Sequence, residues 1–232
     1  MKKTLTSLCF GLVLFLASLT SKAAVIPGGT YYVISGESFS LTPAVASLFE
    51  YRWLLNPGAN QEETILNTAS AGIYNKILGT NTDTQVATHK LTFAVLGALD
   101  GCLSDIIEHT IIVLPKITVS LTVPQGQDNF CLGLPVSTTL TASITAVTGL
   151  GTYGVTLSPF AWTKDDVGVD GQTSSTLAIT SAGTYKALVS YVLPTTGGFI
   201  PTASKLLNAV NGVSKQIQNN LPLPVVPSIT LN

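Results

Sequence analysis

The chain repeats itself, and the repeat limits what it can fold into. "YRW" at Tyr51–Trp53 returns as "FAW" at Phe160–Trp162, 109 residues later. "SAGIY" at Ser70–Tyr74 returns as "SAGTY" at Ser181–Tyr185, 111 residues later. "IIVLPKIT" from Ile111 is echoed by "LPVVPSIT" from Leu223, with Pro115 meeting Pro227. "GESFSLT" from Gly36 is echoed by "GLPVSTTLT" from Gly133, with two residues inserted. Four echoes in one order are a poor match to chance, so the chain reads as two copies of one unit, 24–115 and 116–227, joined at a proline. The offset grows from 97 at the glycines to 109 at the tryptophans, which places an insertion of about a dozen residues in the second copy. "TAVTGLGTYGVTLSP" (Thr145–Pro159) fills it, as a longer connection or an extra hairpin.

The unit is built of strands. "TYYVIS", "HKLTFAV", "HTIIVLP", "ITVSLTV" and "STLAIT" are short and alternate or run apolar. Asn56-Pro57-Gly58, Asp100-Gly101, Asp170-Gly171 and Asn211-Gly212 punctuate them. No long stretch carries the 3.6-residue period of a helix. Charged residues are 10% of the chain, well below the ~25% of ordinary globular domains. β-branched and small residues take their place, as strands favour. The expected class is all-β, two tandem sandwiches. Within each, aromatic residues two apart, Tyr51/Trp53 and Phe160/Trp162, point to one face and fill the space between sheets. Trp53, Trp162, Tyr74 and Tyr185 are the expected core, with Gly-x-Tyr opening a later strand as a tyrosine corner does.

The first 23 residues read as a cleaved signal peptide: Lys2-Lys3, the apolar run Leu8–Ala17, then Ser21-Lys22-Ala23 with small residues at −3 and −1. The run is shorter than the roughly 20 residues that span a bilayer, so the mature chain, starting at Ala24, is expected to be exported without a transmembrane segment. Its 8 basic and 12 acidic groups give no pull toward nucleic acid or anionic lipid.

In this order the motifs resemble the tandem immunoglobulin-like (PKD-like) repeats of secreted and cell-surface proteins of the Bacteroidota. The residues that carry the resemblance are Cys131-Leu132-Gly133, Phe160-Ala161-Trp162, Gly183-Thr184-Tyr185, Gly101-Cys102-Leu103-Ser104 and Val113-Leu114-Pro115. It implies an immunoglobulin-like sandwich in a surface setting and no single ligand. The chain departs from the pattern at its cysteines, since Ile34 and Val213 stand where partners of Cys102 and Cys131 would fall. With sandwiches end to end, Cys102 would sit near the far end of the first unit and Cys131 would open the second strand of the second, whereas a disulfide needs Cα atoms within about 7 Å. A Cys102–Cys131 bond is the less favoured reading, and both are read as unpaired, packed thiols.

Chemistry is poorly supplied. His89 and His109 are the histidines, and neither His-x-x-x-His nor Cys-x-x-Cys spacing occurs. Ser104-Asp105 near His109 reads as local strand sequence, and no nucleophile-elbow motif is present. "DDVGVDG" offers Asp165, Asp166 and Asp170 as a Ca²⁺ candidate, but it lacks the closing glutamate of a calcium loop. A solvated hairpin turn at Asp170-Gly171 competes with it. No cofactor is expected, and the chain is read as a non-enzyme. Three readings stay open: a structural or adhesive surface module; a glycan- or protein-binding domain with Tyr31, Tyr32, Tyr153, Tyr191 and Phe199 as an exposed platform; and a fimbrial-type subunit that exchanges strands. Ser228–Asn232 repeats the start of the second copy, and reads as the stub of a further repeat, a frayed tail or a strand added to an edge.

Overall fold

The computed structural model describes residues 24–44, 49–58, 60–97, 103–205 and 213–225. The leader, Cys102 and the tail Ser228–Asn232 lie outside the described residues. The described chain is all-β, with short 3-10 turns as its helical pieces.

The first set of strands is β1 (Val25–Ile34), β2 (Ser38–Leu41), β3 (Glu50–Leu55), β4 (Glu62–Asn67), β5 (Tyr74–Ile77), β6 (Ala87–Leu96) and β7 (Ile106–Leu114). The second is β8 (Val119–Thr122), β9 (Asn129–Cys131), β10 (Thr138–Ile144), β11 (Thr156–Leu157), β12 (Ala161–Lys164), β13 (Val167–Gly168), β14 (Thr176–Ile179), β15 (Gly183–Leu188), β16 (Tyr191–Val192), β17 (Ala203–Lys205) and β18 (Lys215–Leu221). In the second set, one sheet runs β14-β10-β8 and the other β13-β12-β15-β18-β9. In immunoglobulin lettering these are E-B-A and C′-C-F-G with an A′ strand beside G. The first set has the same order, β2-β5 as B-E and β4-β3-β6-β7-β1 as C′-C-F-G-A′, with β17 added outside β1. In both sets A′ runs parallel to G. Gln218, Asn219 and Leu221 of β18 pair in parallel with Asn129, Phe130 and Cys131. On β1, Ala24 O accepts from Ile106 N and Ser35 N donates to Leu114 O, so the two strands climb together.

Contact density divides the chain into two compact units. The first takes described residues of 24–29, 40–75 and 89–110; the second takes 30–39, 76–88 and 111–225. In the first unit β3 alternates inward at Tyr51, Trp53 and Leu55. Trp53 stacks on Tyr74 at 5.3 Å and packs on Phe93 at 4.2 Å, while Tyr51 stacks on Phe93 at 6.3 Å. Gly72, at φ 67°, passes so close to Tyr51 that a Cβ there would sit 2.5 Å from its ring. That approach lets Gly72 O accept a hydrogen bond of 3.0 Å from Trp53 Nε1.

In the second unit, Val119, Leu140, Trp162, Leu177, Ile179, Ala187 and Ile217 form one buried cluster. Trp162 Nε1 donates to Ser174 O at 2.8 Å. Tyr185 donates its hydroxyl to Ser181 O at 2.8 Å, which is a tyrosine corner.

Two of the echoes prove not to be equivalences. Tyr74 opens β5, an E strand, whereas Tyr185 lies in β15, an F strand. Through the pairings of Leu55 with Leu91 and of Lys164 with Tyr185, the counterpart of Tyr185 is Leu91. Both tyrosines are buried, but only Tyr185 turns a corner; Tyr74 serves as a stacking partner for Trp53. Likewise the counterpart of Leu114-Pro115 is Leu221-Pro222, because Leu132 N donates to Leu221 O as Ser35 N does to Leu114 O. Both echoes fall at strand boundaries, where letter matches drift from the true register.

Candidate functional site

The aromatic residues that sequence reading offered as a platform come together, but inward. Tyr32 is fully buried, and with Ile34, Val86, Ile112, Leu114 and Val155 it forms an apolar cluster inside the second compact unit. Leu150, Tyr153, Tyr191, Leu193 and Phe199 pack against that cluster. Tyr153 meets Phe199 edge-on at 5.1 Å. Tyr32 donates its hydroxyl to Phe199 O at 2.8 Å, Tyr191 donates to Pro115 O at 2.7 Å, and the Tyr153 hydroxyl bonds that of Thr88. Burial pushes the Tyr32 and Tyr191 phenols above their ordinary value. An exposed row of rings is therefore not what these residues build. Only Tyr31, half-buried on β1, lies outside the cluster.

The segment Thr145–Pro159 supplies Leu150, Tyr153 and Val155 to this cluster. Between β10 and β12 the chain makes a 3-10 turn at Leu150–Tyr153, flanked by Gly149 and Gly154 in the left-handed region. It then lays β11 against β16, Leu157 opposite Tyr191. Val86 N donates to Thr148 O, and Thr148 N to Thr84 O, which ties the insertion to the 76–88 segment. The connection from β16 to β18 does a second job. Its β17 adds in parallel to the open edge of β1, Tyr31 to Ala203 and Tyr32 to Ser204. Thr202 N donates to Thr30 O there, at 2.8 Å. An uncovered edge strand is a template for unwanted pairing, and this one is covered from within the same chain. Beside it Ser35, buried, donates to Asp83 Oδ2 at 2.6 Å and Thr80 N donates to the same carboxylate at 2.7 Å. The Ser35 hydroxyl first, and then Thr80, hold the Asp83 carboxyl below its usual range.

The acidic loop also differs from the sequence reading. The hairpin turn is at Asp165-Asp166, between the pairs Lys164–Val167 and Thr163–Gly168, not at Asp170-Gly171. Both aspartates have positive φ, 50° and 64°, as a two-residue turn of this hand requires. Asp165 Oδ1 accepts from Thr184 N at 2.8 Å, and Asp166 pairs with Lys186 at 2.5 Å. Asp170 is exposed in the following turn. Among the described residues there is no group of three or more His, Cys, Asp or Glu placed to hold a metal ion. Cys131 is a half-buried free thiol on β9.

Each histidine is held by a neighbour within the first compact unit. His109 Nδ1 accepts from Gly29 N at 3.0 Å, and His89 Nδ1 meets the Asn56 amide at 3.1 Å. Burial lowers both imidazoles from their ordinary value. The Ser104 hydroxyl is held by backbone, donating to Asp105 O and accepting from Val95 N. A small polar groove lined by Asp128, Asn129, Gln216 and Gln218 lies beside the β9–β18 ladder, with Lys215 drawing the Asp128 carboxyl down. No signal in the sequence points to that groove.

No protein-family model matches the chain, and no curated protein matches it. Similar solved structures include the N-terminal four immunoglobulin domains of Dscam1 isoform 7.44, at 12% identity and a TM-score of 0.30, covering 87% of this chain and 44% of that one. The fibronectin(III)-like modules of Clostridium thermocellum CbhA are similar at 9% identity and a TM-score of 0.36, covering 92% of this chain and 98% of theirs. The chain thus spans less than half the length of the Dscam1 structure. The architecture rests on the strand order itself. No helix among the described residues is long and apolar enough to cross a membrane.

Proposed function

We propose that the chain is an exported, non-catalytic immunoglobulin-like repeat protein, a structural or adhesive module of the cell surface or secreted space, with 24–115 and 116–227 as its two repeats. The observation that carries this reading is the use of its aromatic residues. Tyr32, Tyr153, Tyr191 and Phe199, which could have formed a ligand platform, are spent on one internal joint. The insertion that distinguishes the second copy has the same use, and so does the strand lent to β1. A chain that invests its inserted residues in packing is organised to hold a shape and present it.

The test is a glycan array and a parallel export assay on the full-length gene product. The expected result is a mature N-terminus at Ala24 in the exported fraction and no retained glycan. A glycan that is retained by the parent and released by Tyr31→Ala would overturn the structural reading in favour of carbohydrate binding.

A further inference from the structure

The two copies end in the same corner, and only one of them is covered. In the first, Glu37 N donates to Ile34 O and Ser35 N to Leu114 O; in the second, Leu134 N donates to Cys131 O and Leu132 N to Leu221 O. Gly36 and Gly133 turn these corners at φ 76° and 82°. The surroundings differ sharply. Ser35 is 1% exposed and Leu114 0%, whereas Leu132 is 64% exposed and Leu221 41%. A Cβ on Gly36 would strike Asn81, while one on Gly133 would meet nothing within 4 Å.

The chemistry of the two corners runs opposite to their exposure. The covered corner has polar side chains, Ser35 bonded to Asp83 and Glu37 paired with Lys116 at 3.3 Å. The open corner replaces them with Leu132 and Leu134, and adds exposed Leu223 and Val225 from the segment after β18. A backbone hydrogen bond joins Leu132 to Leu221, and Leu223 and Val225 follow on the same chain. Exposed apolar side chains brought to one corner in this way mark a docking surface rather than a solvent face.

We infer that the open corner formed by Leu132, Leu134, Leu221, Leu223 and Val225 is the docking face for a further immunoglobulin-like module that brings an apolar, aromatic B–C loop. The inference rests on reading the chain as a tandem-repeat protein. The kind of occupant follows from the covered corner. There Gly36 and Ser35 meet Asn81 and Asp83 of their own copy, while Ile34 and Leu114, the counterparts of Cys131 and Leu221, pack with Val155, Leu150, Tyr153 and Phe199 of such a loop and its neighbour. A second copy of this chain cannot supply that loop, because its own loop is already committed to its own Leu114.

The experiment joins an additional copy of residues 116–227 to the C-terminus of the full chain, isotope-labels the parent part or the added copy in turn, and follows the amide hydrogen exchange of each separately. The amides of Leu132, Leu134 and Leu221 should slow about tenfold or more in the fusion. Leu150→Ser with Val155→Ser in the added copy alone should restore the rates of the parent. Unchanged rates with the added copy folded, as its own protected core amides would report, overturn the inference and leave the export and glycan results standing. A second measurement needs no added module. Leu132→Ser with Leu134→Glu, the residues of the covered corner, should leave the melting temperature of the full chain unchanged. A fall as large as that of a buried leucine truncation would mean these leucines serve the fold itself, and would overturn the inference. A parent chain that is dimeric and becomes monomeric in the double variant would also overturn it, since the occupant would then be a second copy.

Discussion

Trp53 and Trp162 hold the same place, on the C strand between C′ and F, yet they meet different company. Trp53 stacks on Tyr74 and packs on Phe93, whereas Trp162 has Phe160 tilted beside it at 6.5 Å in a cluster made mostly of Val, Leu, Ile and Ala side chains. What the two share is the indole hydrogen bond. Each donates to a carbonyl in the C′–E connection, two residues before the E strand begins: Gly72 before β5, Ser174 before β14. The strand order and that one anchored indole are common to both. The rest of each core is interchangeable volume, as close-packed interiors allow when size and pattern are kept.

The most severe way to test this comparison is to remove the anchors. Trp53→Ala and Trp162→Ala should each cost about 3–5 kcal/mol, as truncation of a large buried aromatic does. The loss of protection should be confined to the compact unit that contains the residue, measured by hydrogen exchange across a denaturant series. Equal loss in both units would show that the two cores are one. The corners offer the next contrast. Gly36→Ala and Gly133→Ala both force a side chain into the left-handed region at about 1–2 kcal/mol. Only Gly36→Ala adds a clash with Asn81, so its loss by chemical denaturation should be clearly the larger. Tyr185→Phe removes the corner hydrogen bond that Leu91 never makes, and should cost about 1 kcal/mol in the second unit alone.

Acid should give the smallest and most selective effect. His89 and His109 both lie in the first unit and burial lowers both. A lowered imidazole means that the unfolded chain binds more protons than the folded one, so stability rises with pH in that range. The contribution is complete above the unfolded value near 6.5 and is lost as pH falls below it. In the second unit the lowered groups are Asp83 and Asp128, whose contribution persists down to the carboxylate range. Hydrogen exchange from pH 7 to pH 5 should therefore loosen the first unit before the second, and His109→Gln should blunt the difference.

Much of the architecture was legible because period-two burial is written directly in the letters. Tyr51/Trp53/Leu55 on β3 and the alternating β10 show it plainly. The insertion was also placeable, since the offset between copies jumps across it. Its use was not legible. Nothing in "GLGTYGV" says that Tyr153 and Val155 turn toward Leu114, because that choice is made by tertiary packing and not by local propensity. The same holds for Tyr32. Neighbouring rings on a strand face opposite ways, and reading both Tyr31 and Tyr32 as exposed failed because a segment more than a hundred residues away covers Tyr32. The acidic loop misled for a local reason: Asp-Gly is the stronger hairpin signal by composition, yet Asp165-Asp166 sits where the β12–β13 register places the turn.

The parallel ladder between the A′ and G strands has a consequence under load. β1 and β7 are neighbours that climb in the same direction. Tension applied at the start of β1 and the end of β7 pulls them lengthwise past one another. The hydrogen bonds of that ladder then carry the load together in shear, instead of parting singly as in a peeled hairpin. Resistance to pulling is set by the barrier to unfolding rather than by equilibrium stability. With ten residues in β1 against three in β9, single-molecule pulling should find the second strand set yielding first and the first at higher force.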